Sequence, residues 1–108
     1  MPVDNPNVVD IVATRADSDE VLLVIADHLE WHRVEEHLLA LQEKLNRYLA
    51  FIESGEFLRK YPNAAGKKVR IEVALKYAPP PDSQSFFERA RGIVEGAGFR
   101  LSWSAPAA

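Results

Sequence analysis

The sequence predicts an α+β fold in two layers, with the element order ββαβαβ and both helices on one face of a four-stranded mixed sheet. Three observations lead to this prediction. Two segments rich in β-branched residues, 8–14 and 21–26, are separated by a short polar stretch, which is typical of a β-hairpin. A long segment with apolar residues three and four positions apart follows, as in an amphipathic helix. The rest of the chain has the pattern of a strand, a helix and a strand.

The long helix is predicted to run from Trp31 to about Glu53. Asp27 is followed three residues later by Glu30, which is the spacing of an N-terminal capping box. After the end of the long helix, residues 56–61 are expected to add only one or two short helical turns. One apolar stripe runs along the long helix, formed by Val34, Leu38, Leu41, Leu45, Tyr48 and Ile52.

The C-terminal part is predicted to be a βαβ unit. Residues 68–77 alternate apolar and polar side chains, which predicts a strand with one solvated face. A helix over 83–97 and a final strand over 99–104 follow. Strands joined by a helical crossover run parallel. Because each helix has a single apolar stripe, both helices are expected on the same side of the sheet.

Length and composition predict one globular domain. The 108 residues suit a single domain over 1–108, with an ordered core of about 8–104. Hydrophobic residues at 47% and charged residues at 27% are ordinary for a folded protein. The chain has no cysteine, which excludes disulfides and thiolate sites. No secretory signal is recognisable and no apolar run reaches membrane-helix length, so we expect a cytoplasmic protein without a membrane partner.

Charge and motifs argue against two further classes of function. The net charge is −3 and no Lys/Arg cluster occurs, so a nucleic-acid partner is not expected. A nucleophile elbow, a phosphate-binding glycine loop and a dinucleotide fingerprint are absent from the sequence. We therefore predict no catalytic residues and no cofactor, and an enzyme is not the favoured interpretation.

The second predicted strand is apolar on both faces, which suggests an interface. Leu22, Val24 and Ala26 lie on the face opposite to its other apolar residues, and Val12 of the neighbouring strand is expected to join them. Open sheet faces of monomers seldom carry that much aliphatic surface. Either the tail or the lead-in of the chain covers this face, or the face is a homodimer contact, which is the commonest oligomeric arrangement.

The start of the long helix holds the candidate binding residues Asp27, His28, Trp31 and His32. If the helix begins early enough, His28 and His32 share a face at metal-ligand spacing. No third ligand is in reach, since His37 lies about 140° around the helix from His32. No metal centre is therefore predicted, and His37 is assigned to the edge of the apolar stripe. The indole N–H of Trp31 is expected to need a hydrogen-bond partner.

Several motifs together resemble those of an uncharacterised family of small bacterial proteins, a domain of unknown function. The most distinctive is Asp27-His28-Leu29-Glu30-Trp31, an Asp-His-Leu-x-Trp segment before the long helix. Glu36-His37-Leu38, residues 48–55 and Ala97-Gly98-Phe99 extend the resemblance over roughly residues 5–104. The family implies no activity. The resemblance does imply that a function of the family would lie near the Asp-His-Leu-x-Trp segment.

Two hypotheses for the function follow from these observations. The first is a non-enzymatic, homodimeric protein-interaction domain, in which a further protein partner is conceivable. The alternative is a small-ligand or metal-binding domain that uses the helix start over residues 27–32.

Overall fold

The computed structural model describes residues 11–14 and 19–106, and for 11–14 it describes the backbone only. The described chain forms four strands and three α-helices. Their bounds are β1 Ile11–Thr14, β2 Glu20–Asp27, α1 Val34–Glu53, α2 Glu56–Lys60, β3 Lys68–Leu75, α3 Gln84–Gly96 and β4 Arg100–Ser104.

The predicted fold class needs correction. A third helix, α2, follows α1, so the element order is ββααβαβ rather than ββαβαβ. The body of the sheet is three-stranded and all-parallel, because β2 pairs parallel with β3 and β3 pairs parallel with β4. The antiparallel pairing is confined to β1, a strand of 4 residues on the outer edge of β2, giving the strand order β1-β2-β3-β4.

The extra helix has a backbone cause. Gly55 has φ 86°, in the left-handed region that glycine enters without strain. The chain turns there, and the 5 residues of α2 bury Phe57 against the core. The sequence indicated helical turns at this place, but it did not indicate a separate packed helix.

Helix α1 begins at Val34, three residues later than predicted. Asp27 does not cap it, because Asp27 is the last residue of β2 and its carbonyl accepts the Lys76 N–H at 2.9 Å. The N-cap position is instead Arg33, which makes no side-chain capping bond. Residues 28–33 therefore form a non-helical connection between β2 and α1. Within the described ranges, no helix is both long enough and apolar enough to span a membrane.

The core lies between the sheet and the three helices, on one face of the sheet. Val21, Leu23 and Ile25 on alternate positions of β2 have 0% exposure. Side chains from both longer helices and from α2 pack in the same cluster, including Leu41, Leu45, Tyr48, Phe57, Phe87 and Val94. The described helices thus cover one face of the sheet and leave the other face outside the core.

Candidate functional site

A buried hydrogen bond between a carboxyl group and an imidazole joins the end of β2 to the first turn of α1. His37 Nε2 lies 2.5 Å from Asp27 Oδ2, and the two side chains are 2% and 0% exposed, respectively. Buried charged groups are stable only with a partner. The carboxyl group at the end of β2 and the imidazole on α1 therefore hold each other in position.

The second carboxylate oxygen of Asp27 shapes the connection that follows. Asp27 Oδ1 accepts a hydrogen bond from the Leu29 N–H at 3.1 Å. A side chain that bonds the backbone two residues onward imposes a turn. Asp27 thus acts as a turn residue and as the hydrogen-bond partner of His37, in place of the predicted helix cap.

Trp31 covers the imidazole of His37. The two rings stack with centroids 3.7 Å apart and an interplanar angle of 21°. The Trp31 Nε1 donates to the main-chain oxygen of Tyr77 at 3.1 Å, so the predicted indole partner is found just beyond β3. Asp27, Trp31 and His37 form one cluster, which we call the Asp–His–Trp cluster.

One nitrogen of this cluster has no partner. His37 Nδ1 is buried, and it neither accepts nor donates a hydrogen bond within the described part of the chain. Most buried polar atoms in proteins are satisfied, so such an exception calls for an explanation.

The structure brings together only two of the four predicted ligand-binding residues. Asp27 and Trp31 belong to the cluster, whereas His28 is exposed and the His32 side chain is 82% exposed beside Glu30. The argument for a shared face of His28 and His32 fails because residues 28–33 are not helical. Among residues 11–14 and 19–106, no three His, Cys, Asp or Glu side chains form a group that could hold a metal ion.

His37 is the residue that the sequence reading missed. The separation of about 140° from His32 holds only on a continuous helix, and α1 does not extend back to His32. One signal was present: His37 precedes Leu41 by four residues, and both face the core. A polar residue on the buried stripe of a helix needs a buried partner, and Asp27 is that partner.

The second candidate surface is the sheet face that the helices leave open, formed by the outward side chains of β2 and β3. Leu22, Val24 and Ala26 on β2 are half-buried and lie outside the core cluster. Their register partners on β3 are Arg70, Glu72 and Ala74. We call these six residues the open patch.

Val12, which is predicted to join this row, is described only by its backbone pairing. It is in register with Leu23, which faces the helices, whereas the positions in register with Leu22 and Val24 are Ala13 and Ile11. The side chain of Val12 lies outside what the structure describes, and we leave Val12 out of the open patch.

Comparison with known proteins gives a family and no function. Residues 1–107 match a family of unknown function, DUF6572, and the chain belongs to that family. No curated protein and no solved structure matches the chain. The expected bacterial origin of the family and its Asp-His-Leu-x-Trp signature stay predictions.

Proposed function

We propose that this member of a family of unknown function is a non-enzymatic, homodimeric protein-interaction domain, and that two copies meet through the open patch. One observation carries the proposal. Leu22, Val24 and Ala26 form a continuous aliphatic row on a face that none of the described helices covers. An antiparallel or half-exposed strand normally alternates apolar and polar residues, and β2 does not.

The physical driving force is the removal of this row from water. Burying apolar surface stabilises by roughly 25 cal/mol per Å², so aliphatic side chains on an open face favour association. Contiguous apolar patches on soluble domains commonly mark interaction sites. On the buried face, the same strand already has every aliphatic residue in contact with a helix layer. Among residues 19–106 no such layer lies on the open face, and a second sheet would supply it.

The charges beside the row favour a second copy over a different partner. Arg70 and Glu72 are two positions apart on β3, and they flank Leu22 and Val24 in the register. In a two-fold interface the same patch faces itself, so an arginine of one copy is able to meet a glutamate of the other. Arg70 is held at 3.1 Å by Glu20, while Glu72 has no ion-pair partner among the described residues. Self-complementarity of the patch thus requires Arg70 to bridge Glu20 of its own chain and Glu72 of the second copy, which the five N–H donors of a guanidinium allow.

Sedimentation equilibrium tests the proposal. The wild-type chain has a mass of 12.1 kDa, and we expect twice that mass at micromolar to millimolar concentration. Val24→Asp places a charge in the aliphatic row and is expected to give the monomer mass. Leu39→Asp is the matched control, because Leu39 is 58% exposed on α1, away from the sheet; it is expected to leave the dimer intact.

A more conservative substitution controls for the case in which Val24→Asp unfolds the chain. Val24→Thr keeps the shape and the β-branched side chain and is expected to raise the dimer dissociation constant several-fold with unchanged circular dichroism. A wild-type chain that sediments as a monomer overturns the proposal. So does a dimer that survives Val24→Asp and is lost in Leu39→Asp.

A further inference from the structure

A groove between α1 and α3 is not used by the dimer proposal. All of its lining residues belong to these two helices, and none of them belongs to the open patch. Its buried lining residues are apolar members of the core cluster, namely Leu45, Leu49, Ala90 and Val94. Phe86 is half-buried, and Ile93 is 64% exposed. The groove is therefore an apolar cleft that reaches from the surface toward the core.

Three polar side chains complete the lining, and only one of them is charged. Gln42 and Asn46 are exposed one turn apart on α1, and Arg89 is exposed on α3. Arg89 has no ion-pair partner among the described residues, whereas Arg91 Nη2 lies 3.4 Å from Glu88 Oε1. No acidic side chain of the described ranges lines the groove. This combination of an apolar interior and one uncompensated positive charge favours a ligand with an apolar body and one negative charge.

The size of the groove limits the apolar body. Its volume is about 180 Å³. A cavity of about 150 Å³ holds a benzene molecule, whereas drug-sized ligands occupy pockets of about 300–1,000 Å³. A helix of a protein partner, about 10 Å across with its side chains, is too wide to enter. The groove therefore fits an apolar body of about six to eight carbon atoms.

We propose that this groove binds a small monocarboxylate whose apolar body, aliphatic or aromatic, has this size. The body contacts Leu45 of α1 and Ile93 of α3, and its removal from water favours binding. The carboxylate pairs with Arg89, because a guanidinium presents two parallel N–H groups to a carboxylate. Gln42 and Asn46 each carry an amide NH₂ group that is able to donate a further hydrogen bond.

An NMR titration of the ¹³C-methyl-labelled chain at pH 7 tests this proposal with two acids. Hexanoate presents an aliphatic body and benzoate presents an aromatic one, and both are ionised at this pH. We expect at least one acid to shift the methyl signals of Leu45, Leu49 and Ile93 along a saturating curve. The dissociation constant is expected in the millimolar range or below. The acid that binds more tightly identifies the kind of body.

Three further compounds separate the charge of the ligand from its apolar body. The alcohol that corresponds to the tighter acid, 1-hexanol or benzyl alcohol, keeps the body without the charge. The corresponding ammonium compound reverses the charge, and acetate keeps the charge without the body. We expect the alcohol to bind about two- to fivefold more weakly than the acid. Acetate and the ammonium compound are expected to cause no saturating shift up to about 20 mM.

Substitutions at exposed positions assign the two parts of the ligand to residues. Arg89→Gln removes the charge and is expected to weaken acid binding about two- to fivefold, while alcohol binding stays unchanged. Arg100→Gln is the matched control, because Arg100 is exposed on β4 and lies outside the groove; it is expected to leave acid binding unchanged. Ile93→Ala shortens an exposed wall of the groove and is expected to weaken the acid and the alcohol alike.

Several results overturn the proposal. One is the absence of a saturating shift with either acid up to about 20 mM. Others are acid binding that is unchanged in Arg89→Gln, and an ammonium compound that binds as tightly as the acid. NOEs to Ile93 from residues 1–10 or from a second copy, in the ligand-free chain, would assign the groove to another occupant. The Val24→Asp variant is expected to bind the acid with wild-type affinity, so a failure of the dimer proposal is distinguishable from a failure of this one.

Discussion

The two faces of β2 carry the same kind of side chain in opposite environments. Val21, Leu23 and Ile25 are completely buried under the helices, whereas Leu22, Val24 and Ala26 stay outside the core. Successive side chains of a strand point to opposite faces of the sheet and so form two rows. This alternation does not determine which of the two rows a helix will cover. Burial on β2 is therefore decided by the single apolar stripes of α1 and α3, which supply only one covering layer among the described residues.

The polar residues differ between the two faces as well. Asp27 ends the buried row and requires His37 as a buried partner. On the open face, Arg70 pairs with Glu20, and their side chains remain 28% and 30% exposed, respectively. A polar group therefore needs a specific partner on the covered face, while water shares that role on the open face.

The largest effect is expected from breaking the buried pair on the covered face. Asp27→Ala leaves His37 buried without its partner, and we expect the free energy of unfolding to fall by about 3–5 kcal/mol. Guanidinium denaturation measures this change. Asp82→Ala is the matched control, because Asp82 is exposed, and its effect should stay within about 0.5 kcal/mol. Similar losses in both variants would show that Asp27 contributes no more than a surface carboxylate.

Alanine variants of two neighbouring leucines compare the contribution of the two faces of β2 to the free energy of unfolding. Leu23→Ala opens a cavity in the core and should cost about 2–5 kcal/mol. Leu22→Ala removes a half-buried side chain, so we expect a loss below about 1.5 kcal/mol when the chain is dilute enough to be monomeric. Denaturant unfolding at that dilution measures both. Equal losses would mean that the open face is packed as tightly as the covered one.

A smaller effect concerns the concentration dependence of stability. If the dimer is the native state, each tenfold rise in protein concentration stabilises it by about 1.4 kcal/mol per dimer. The melting temperature of the wild type should therefore rise with concentration, and that of Val24→Asp should not. Differential scanning calorimetry over a wide concentration range measures the difference. A wild-type melting temperature that is independent of concentration would contradict the open face as an interface.

The smallest effect is expected at the margin of the covered face. Trp31→Phe keeps a ring available to stack on His37 but removes the hydrogen bond from Nε1 to Tyr77. Since this bond is exposed, we expect a loss of about 1 kcal/mol in thermal or chemical unfolding. A loss comparable to that of Asp27→Ala would place Trp31 among the main determinants of the fold.

Local structure was largely predictable from the sequence where pattern and environment agree. The strand predicted at 68–77 is observed as Lys68–Leu75, and the helix predicted at 83–97 as Gln84–Gly96. In both segments the apolar period matches the secondary structure, and one face meets the core. The first strand is observed at Ile11–Thr14, while residues 8–10 lie outside the described chain.

The relations between segments were not predictable in the same way. The spacing of Asp27 and Glu30 fits a capping box, yet the parallel pairing of β2 with β3 keeps Asp27 in the strand. The pairing of Asp27 with His37 spans a non-helical connection whose path no local pattern encodes. The register of β1 likewise places Val12 beside Leu23 rather than beside the open row.

The most direct test of the central claim is an isotope-filtered NOE experiment on a mixture of ¹³C-labelled and unlabelled chains. The account predicts intermolecular NOEs at the methyl groups of Leu22 and Val24. It predicts none at Leu39 and Ile93, which are 58% and 64% exposed on the helices. Intermolecular NOEs confined to Leu39 or Ile93, or none at Leu22 and Val24, would contradict the assignment of the open sheet face as the interface.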